Sequence, residues 1–269
     1  MSMLSFIMEV EAMPNNKRET KSILVTGAAK RIGAAIARSL ADAGANVIVH
    51  YRSSANEAQA LVEELRAKGS DAFAVQADLA RPETMDDFFD AVLKQTNGRL
   101  DGVVNNASLY ARTGSPEAAQ CRAIHVLSPL ALIRRFAALP HPNGGAVVNI
   151  LDTRVATADP EHAEYLAAKR ELASKTIALA RELAPAIRVN AVAPGAVLQE
   201  DGMPVAALER LSAFNPLKAH GSPEGLAACV RFLLECDFIT GQTIHYDGGY
   251  WIRDAKTAAK WRSGMETVE

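Results

Sequence analysis

Short, unbroken apolar runs alternate with amphipathic stretches from Lys21 to Tyr246. Runs such as Ser22–Thr26 and Asn46–His50 are strand-length and show no polar alternation. That pattern suits strands covered on both faces. The same signal predicts strands at Ala72–Gln76, Leu100–Val104, Gly145–Leu151, Ile187–Ala191 and Thr243–Tyr246. Helical periodicity marks Arg31–Ala43, Glu57–Lys68, Pro82–Gln95, Pro116–Leu139, Ala163–Leu183 and Pro223–Leu234. Gly44 and Gly69 follow the first two helices, where glycine accepts the left-handed turn that ends a helix. Pro129 predicts a bend in the helix over Pro116–Leu139, because proline brings no N–H and crowds the preceding turn. Residues 194–217 read as a loop with short helices.

Strands alternating with helices predict a parallel sheet with right-handed crossovers. The expected fold class is α/β: one doubly wound domain, a seven-stranded parallel sheet with helices on both faces. It spans residues 21–252, with no internal repeat and no break in composition. Residues 1–20 read as a disordered leader. Their apolar patch, Leu4 to Met8, is short and is followed by Glu9 and Glu11, unlike a secretory signal. Residues 253–269 read as a tail.

Charge and cysteine content narrow the partners. Across 269 residues, 29 basic side chains oppose 31 acidic ones, a net charge of −2. Nucleic-acid binding needs a basic face, and nothing here supplies one. Nor is there a polybasic membrane anchor or an apolar run of about eighteen residues. Cys121, Cys229 and Cys236 form neither a disulfide framework nor a close metal pair, which suits a reducing, cytoplasmic setting.

The stretch Thr26-Gly27-Ala28-Ala29-Lys30-Arg31-Ile32-Gly33 lies between the first strand and the first helix. A helix N-terminus offers unpaired N–H groups and partial positive charge to a pyrophosphate. Gly27 permits a tight turn there, and Gly33 permits close helix–sheet contact. Alone, the stretch reads equally as an ordinary strand-to-helix turn. The second strand ends His50-Tyr51-Arg52-Ser53-Ser54, with no acid to bond a ribose 2′-hydroxyl. Arg52 instead suits a 2′-phosphate, which favours NADP over NAD.

Tyr165 and Lys169 stand at i and i+4, on one helical face. A nearby ammonium is expected to lower the phenol pKa and favour proton transfer to a carbonyl or imine during hydride delivery.

With these motifs go Asp78-Leu79, Asn105-Asn106-Ala107, Pro194-Gly195 and Asp247-Gly248-Gly249. In this order the chain resembles the short-chain dehydrogenase/reductase family from Lys21 to Ile252. The resemblance implies a Rossmann fold, a homotetramer, and NADPH held by Gly27, Lys30, Arg31, Ile32 and His50 to Ser53. It adds Asp78, Leu79, Asn106, Ala107, Ser108, Tyr165, Lys169, Pro194 and Gly195 to that site.

A narrower resemblance follows from the departures. Arg31 stands where most members carry glycine, and Asp152 where most carry serine, thirteen residues before Tyr165. These residues, His50 to Ser54, Asn105 to Tyr110 and Gly195 to Pro204 are similar to pteridine reductases. Several also resemble bacterial dihydromonapterin reductases. The resemblance implies catalytic Asp152, Tyr165 and Lys169 and a dihydropterin or dihydrofolate substrate. Ser108 would bond pterin or cofactor, Tyr110 would stack on the ring, and Arg31 would reach its carbonyl edge. Asp152 would accept from Tyr165 or from ring N–H groups. Residues 195–214 would carry selectivity. His125 occupies the family's usual asparagine position, where a water-holding relay group and a core histidine are both open readings. The alternatives are a carbonyl or 3-oxoacyl reductase of the same family and a weakly catalytic NADP-binding regulator.

Overall fold

The computed structural model describes residues 20–157, 159–199 and 205–252, with the backbone alone at 205–207. The expected leader and tail, and the stretch from Glu200 to Pro204, lie outside the described residues. Seven strands form from the apolar runs: β1 (Ser22–Val25), β2 (Asn46–Tyr51), β3 (Phe73–Gln76), β4 (Gly102–Asn105), β5 (Gly145–Ile150), β6 (Ile187–Pro194) and β7 (Thr243–Tyr246). They make one sheet in the order β3-β2-β1-β4-β5-β6-β7, with every neighbouring pair parallel.

Alternation along β1 shows why these runs are apolar throughout. Ile23 and Val25 join a core that also holds residues of α1 (Arg31–Asp42), α2 (Ala55–Ala67) and α7 (Pro223–Glu235). Leu24, between them, points to the opposite core, built with α3 (Met85–Gln95), α4 (Ser128–Ala137) and α5 (Ala163–Leu183). Both faces are covered, so neither set of strand residues can be polar. The short α6 (Val205–Ser212) follows β6. Among the described residues no helix is long and apolar enough to cross a membrane.

Two of the changes in expected boundaries bear on the site. The helix expected over Pro116–Leu139 is broken into a 3-10 turn at Ala118–Gln120, a π-helical turn at Ala123–Leu127, and α4. Pro129 has no N–H for the His125 carbonyl four residues back, so regular α geometry cannot run through this point. The wider turn buries Ile124, His125 and Val126. β6 runs past its expected end to Pro194, because β7 pairs with it from Ala191 to Pro194. This extension carries Gly195 to the C-terminal edge of the sheet.

Strand order reverses beside β1, which has β2 on one side and β4 on the other. Loops leaving β1 and β4 therefore diverge and open a crevice at their carboxyl ends. His50, at the end of β2, supports it from below. The Gly27 N–H donates to His50 Nδ1 at 2.9 Å. The other nitrogen must then donate, and Nε2 lies 3.2 Å from the Ala77 carbonyl. One neutral imidazole thus ties together the ends of three strands. Burial lowers its pKa to about 4, against the weaker raising effects of Ala77 and Asp78.

A histidine neutral in the fold but protonated in the unfolded chain costs stability as pH falls from its ordinary value of 6.5 towards about 4. Between pH 7 and pH 5 the loss from His50 should be about 2 kcal/mol. Urea denaturation at the two pH values, in wild type and His50→Gln, checks this. The variant should lose that share of the pH dependence; an identical dependence would mean that His50 titrates normally.

Candidate active site

The crevice is a cavity of about 600 Å³, within the range of small-molecule sites. Its walls bring together the β1–α1 segment with Gly27, Lys30, Arg31 and Ile32, and the β2 end from His50 to Ser53. Asp78, Leu79, Asn106, Ala107, Ser108, Pro194 and Gly195 also line it, as do Asp152, Tyr165 and Lys169. Every residue expected to hold cofactor therefore faces one space. Tyr110 does not line it.

The glycines do what their spacing implied. Gly27 has φ +62°, and a Cβ there would lie 2.8 Å from the Ala107 Cα. A Cβ on Gly33 would lie 2.6 Å from the Asn106 side-chain nitrogen and would overlap the Gly27 carbonyl oxygen. Asn106 Nδ2 donates to the Thr26 and Gly27 carbonyls at 2.8 and 3.1 Å. Thr26 Oγ1 accepts from the N–H groups of Asn106 and Ala107 at 2.9 and 3.0 Å. Thr26 was not singled out in the sequence, yet it joins the β1 and β4 loops. These contacts leave a glycine-floored cradle at the N-terminus of α1, which suits a pyrophosphate.

Arg31 adopts φ +56°, a conformation that costs a residue with a Cβ about 1 kcal/mol. Its Nη2 donates to the Gln199 carbonyl at 2.7 Å, joining the α1 start to the loop after β6. Lys30 Nζ lies 3.3 Å from Glu57, with both side chains about half exposed. Arg52 and Ser53 are exposed at the rim.

The catalytic candidates sit deeper. β5 ends at Ile150 and delivers Asp152; α5 delivers Tyr165 and Lys169 one turn apart. The Tyr165 hydroxyl donates to Asp152 Oδ2 at 3.0 Å. Lys169 Nζ donates to the Ile150 carbonyl at 2.7 Å and lies 5.7 Å from the centre of the Tyr165 ring. Burial pushes the Asp152 carboxyl up, but the Arg154 guanidinium, by charge and hydrogen bonds, outweighs it and holds the group below its ordinary value. Burial lowers Lys169 to about 8, partly offset by Asp152.

Tyr165 corrects an expectation. Its pKa is raised well above the ordinary value, first by burial and then by the negative charge of Asp152. The lysine four residues on does not lower it. Tyr165 is thus a firmly protonated hydroxyl, suited to giving up a proton only when charge develops beside it.

Tyr110 corrects another. One face of its ring lies against His162, with centroids 4.0 Å apart and planes 13° apart. Its edge meets Tyr165 at 5.0 Å. The Arg154 guanidinium carbon also lies over that ring, 5.1 Å from its centre, so the ring expected to stack on the substrate is already engaged by protein groups. Neither His162 as a stacking partner nor Arg154 was anticipated. The one available signal for Arg154 was a basic residue two positions after Asp152.

His125 is buried, and its ring meets the Tyr165 edge at 5.3 Å. Its Nε2 lies 3.1 Å from the Leu109 carbonyl and 3.3 Å from the Leu109 N–H. Burial and then the Lys169 charge hold it well below its ordinary pKa, so it is neutral. Its Nδ1 has no hydrogen-bond partner among the described residues.

A family profile described as enoyl-(acyl carrier protein) reductase matches residues 27–251. The chain belongs to the short-chain dehydrogenase/reductase family. The 3-oxoacyl-(acyl-carrier-protein) reductase FabG of Staphylococcus aureus is 36% identical over 244 residues, covering 87% of this chain and 99% of that protein. The crystal structure of FolM alternative dihydrofolate reductase 1 from Brucella canis, complexed with NADP, is 34% identical with a TM-score of 0.81. That match covers 87% of this chain and 95% of the other. The angucycline C-6 ketoreductase LanV with bound NADP is 32% identical with a TM-score of 0.80, covering 87% and 96%. Relatives of similar closeness thus carry different substrate names. The family accounts for the Rossmann architecture and the oxidoreductase chemistry.

Lys169 should titrate near pH 8, losing its charge above that value because desolvation favours the neutral amine. Nitrogen NMR of 15Nζ-lysine-labelled protein, assigned with Lys169→Met, checks this. A midpoint near the ordinary 10.5 would show that the ammonium is well solvated.

Proposed function

We propose that this protein is an NADPH-dependent pteridine reductase, converting a dihydropterin to its tetrahydro form and also accepting dihydrofolate. The observation that carries this reading is the buried Asp152–Tyr165 hydrogen bond, with Arg31 at the wall of the same cavity. The likeness to FolM alternative dihydrofolate reductase 1 supports it. NADP dependence is supported by the NADP complexes among the structural relatives. Arg52, at the end of β2 where an NAD enzyme places an acid, supports it independently.

The glycine-floored cradle fits the cofactor. Gly27, Ile32, Asn106 and Ala107 would hold its pyrophosphate and nearby groups, and Arg52 with Ser53 its 2′-phosphate. Bound NADPH supplies the hydride that adds to carbon of a C=N bond. Tyr165 Oη gives its proton to the nitrogen. Asp152 holds that hydroxyl in place, and its charge keeps the phenol protonated until the nitrogen gains electron density. Lys169, an ammonium below about pH 8, stabilises the phenolate left behind and orients its reprotonation. Arg31 and Ser108 would offer donors to the substrate edge, and Tyr110, its ring packed against His162, would stand at the rim. As proposed, the enzyme assembles as a homotetramer in the cytoplasm, with exposed Trp251 and Ile252 available to a second subunit.

A second reading, 3-oxoacyl reduction, is favoured by the FabG likeness. NADPH oxidation by the purified protein with dihydrobiopterin, dihydromonapterin and dihydrofolate, against acetoacetyl-CoA, separates the two. A dihydropterin should be turned over and the thioester little; preference for the thioester would replace the first reading with the second. Arg52→Ala should raise KM for NADPH by about tenfold or more, as loss of a charge-assisted bond would, and leave NADH little changed. Equal effects on both cofactors would remove Arg52 from 2′-phosphate recognition.

A further inference from the structure

Arg154 stands two residues past Asp152, on the 3-10 turn Thr153–Ala156. Its backbone N–H donates to Asp152 Oδ1 at 2.8 Å, and its Nε donates to the same oxygen at 3.1 Å. Its Nη2 donates to Oδ2 at 2.9 Å. The Tyr165 hydroxyl is the second donor on Oδ2, at 3.0 Å. A carboxylate offers about four acceptor positions. Asp152 therefore has two donors on each oxygen and is filled before any substrate arrives.

The rest of the guanidinium turns the other way. Nη1 donates to the Tyr110 hydroxyl at 2.9 Å and to Asp159 Oδ2 at 3.2 Å. Asp159 Oδ1 accepts from the Glu161 N–H at 3.1 Å, and Oδ2 lies 3.1 Å from His162 Nδ1. One cation thus sits between two carboxylates whose side chains are 12% and 4% exposed. It links the partner of the proton donor to the aromatic rim.

We propose that Arg154 is a positioning residue that commits Asp152 to Tyr165, so that Asp152 acts on the substrate only through that hydroxyl and does not bind the substrate ring itself. This rests on Tyr165 being the proton donor, and it holds whichever substrate is reduced. The fork geometry is central: Nε and Nη2 grip both carboxylate oxygens at once and leave Oδ2 directed at the phenol. A lysine would keep the charge and lose the grip. Other titratable groups near Asp152 are Tyr165 and Lys169 from α5, Tyr110 from the loop after β4, His125 from the π turn, and Asp159 and His162. Asp247 lies beyond Thr153, whose hydroxyl donates to it. Among the described residues only Arg154 donates to both oxygens of Asp152.

The test compares wild type, Arg154→Met and Arg154→Lys as full-length, NADP-bound proteins. Carboxyl-carbon NMR after aspartate labelling, with Asp152 assigned from its loss in Asp152→Asn, reads the charge on Asp152 directly. Wild type should keep Asp152 ionised throughout pH 5 to 8, and Arg154→Met should bring its titration into that range. NADPH oxidation with dihydrobiopterin and with acetoacetyl-CoA provides the second readout. On whichever probe wild type reduces, Arg154→Met should lower kcat at pH 7 by at least about tenfold. KM for the probe should change less than about threefold, and kcat should recover with pH along the NMR midpoint. Arg154→Lys should keep Asp152 ionised and still lose part of kcat, and it serves as the folded comparison if the methionine variant is unstable.

An ionised Asp152 at pH 5 in Arg154→Met would overturn the proposal. So would a loss confined to KM with kcat retained, which would mean that Asp152 contacts the substrate directly. If wild type reduces neither probe, the functional reading fails while the NMR result still decides what Arg154 does to Asp152.

Discussion

A buried carboxylate and a buried phenol share one hydrogen bond, and the surrounding structure serves to keep that bond. Left alone, burial would favour the protonated form of Asp152, a weaker acceptor than the carboxylate. Arg154 prevents this by charge and by a two-pronged grip. Tyr165 in turn is kept from ionising by burial and by the carboxylate it touches. The low local dielectric strengthens these interactions while making each unpaired group costly. Lys169 enters the same region at a cost that lowers its pKa to about 8, and its bond to the Ile150 carbonyl anchors it to the end of β5.

The cofactor side depends on backbone closeness more than on charge. Gly27 and Gly33 let the start of α1 approach the end of β4 until side chains no longer fit between them. Thr26 and Asn106 then complete the join with hydrogen bonds across it. His50 holds the same loop from β2 through the Gly27 N–H. Three strand ends are thus brought to the place where strand order reverses. Arg31 departs from this economy. It accepts a left-handed backbone in exchange for a guanidinium at the cavity wall, joined to the loop after β6.

Much of this was legible in the chain. Strands covered on both faces must be apolar throughout, so all seven announced themselves as short unbroken runs. The glycine spacing and the Tyr165–Lys169 interval are local, and both survived folding unchanged. What was hidden depends on contacts between distant segments or on environment. Periodicity alone cannot distinguish a π turn from a proline-bent helix, so the break at Ala123–Leu127 was read as a bend. Tyr110 meets His162 across 52 residues of sequence, and nothing local marks that pair. The sign of the Tyr165 shift was misjudged for a similar reason. Sequence displays the lysine four residues away, but neither the burial nor the carboxylate that outweigh it. Arg154 was overlooked because a charge in a loop is ordinarily solvated, and only the fold surrounds it with two acids.

The central claim is that Tyr165 supplies the proton and that the cofactor site stands independently of it. Tyr165→Phe tests this most directly, since it removes one oxygen and the hydrogen bond to Asp152 while keeping the ring. NADPH affinity from fluorescence titration, measured beside single-turnover oxidation of NADPH with dihydrobiopterin, gives both halves of the answer. The account predicts affinity within about threefold of wild type and a turnover rate lower by at least about a hundredfold. Turnover retained in the phenylalanine variant would contradict it, because the proton would then come from another group.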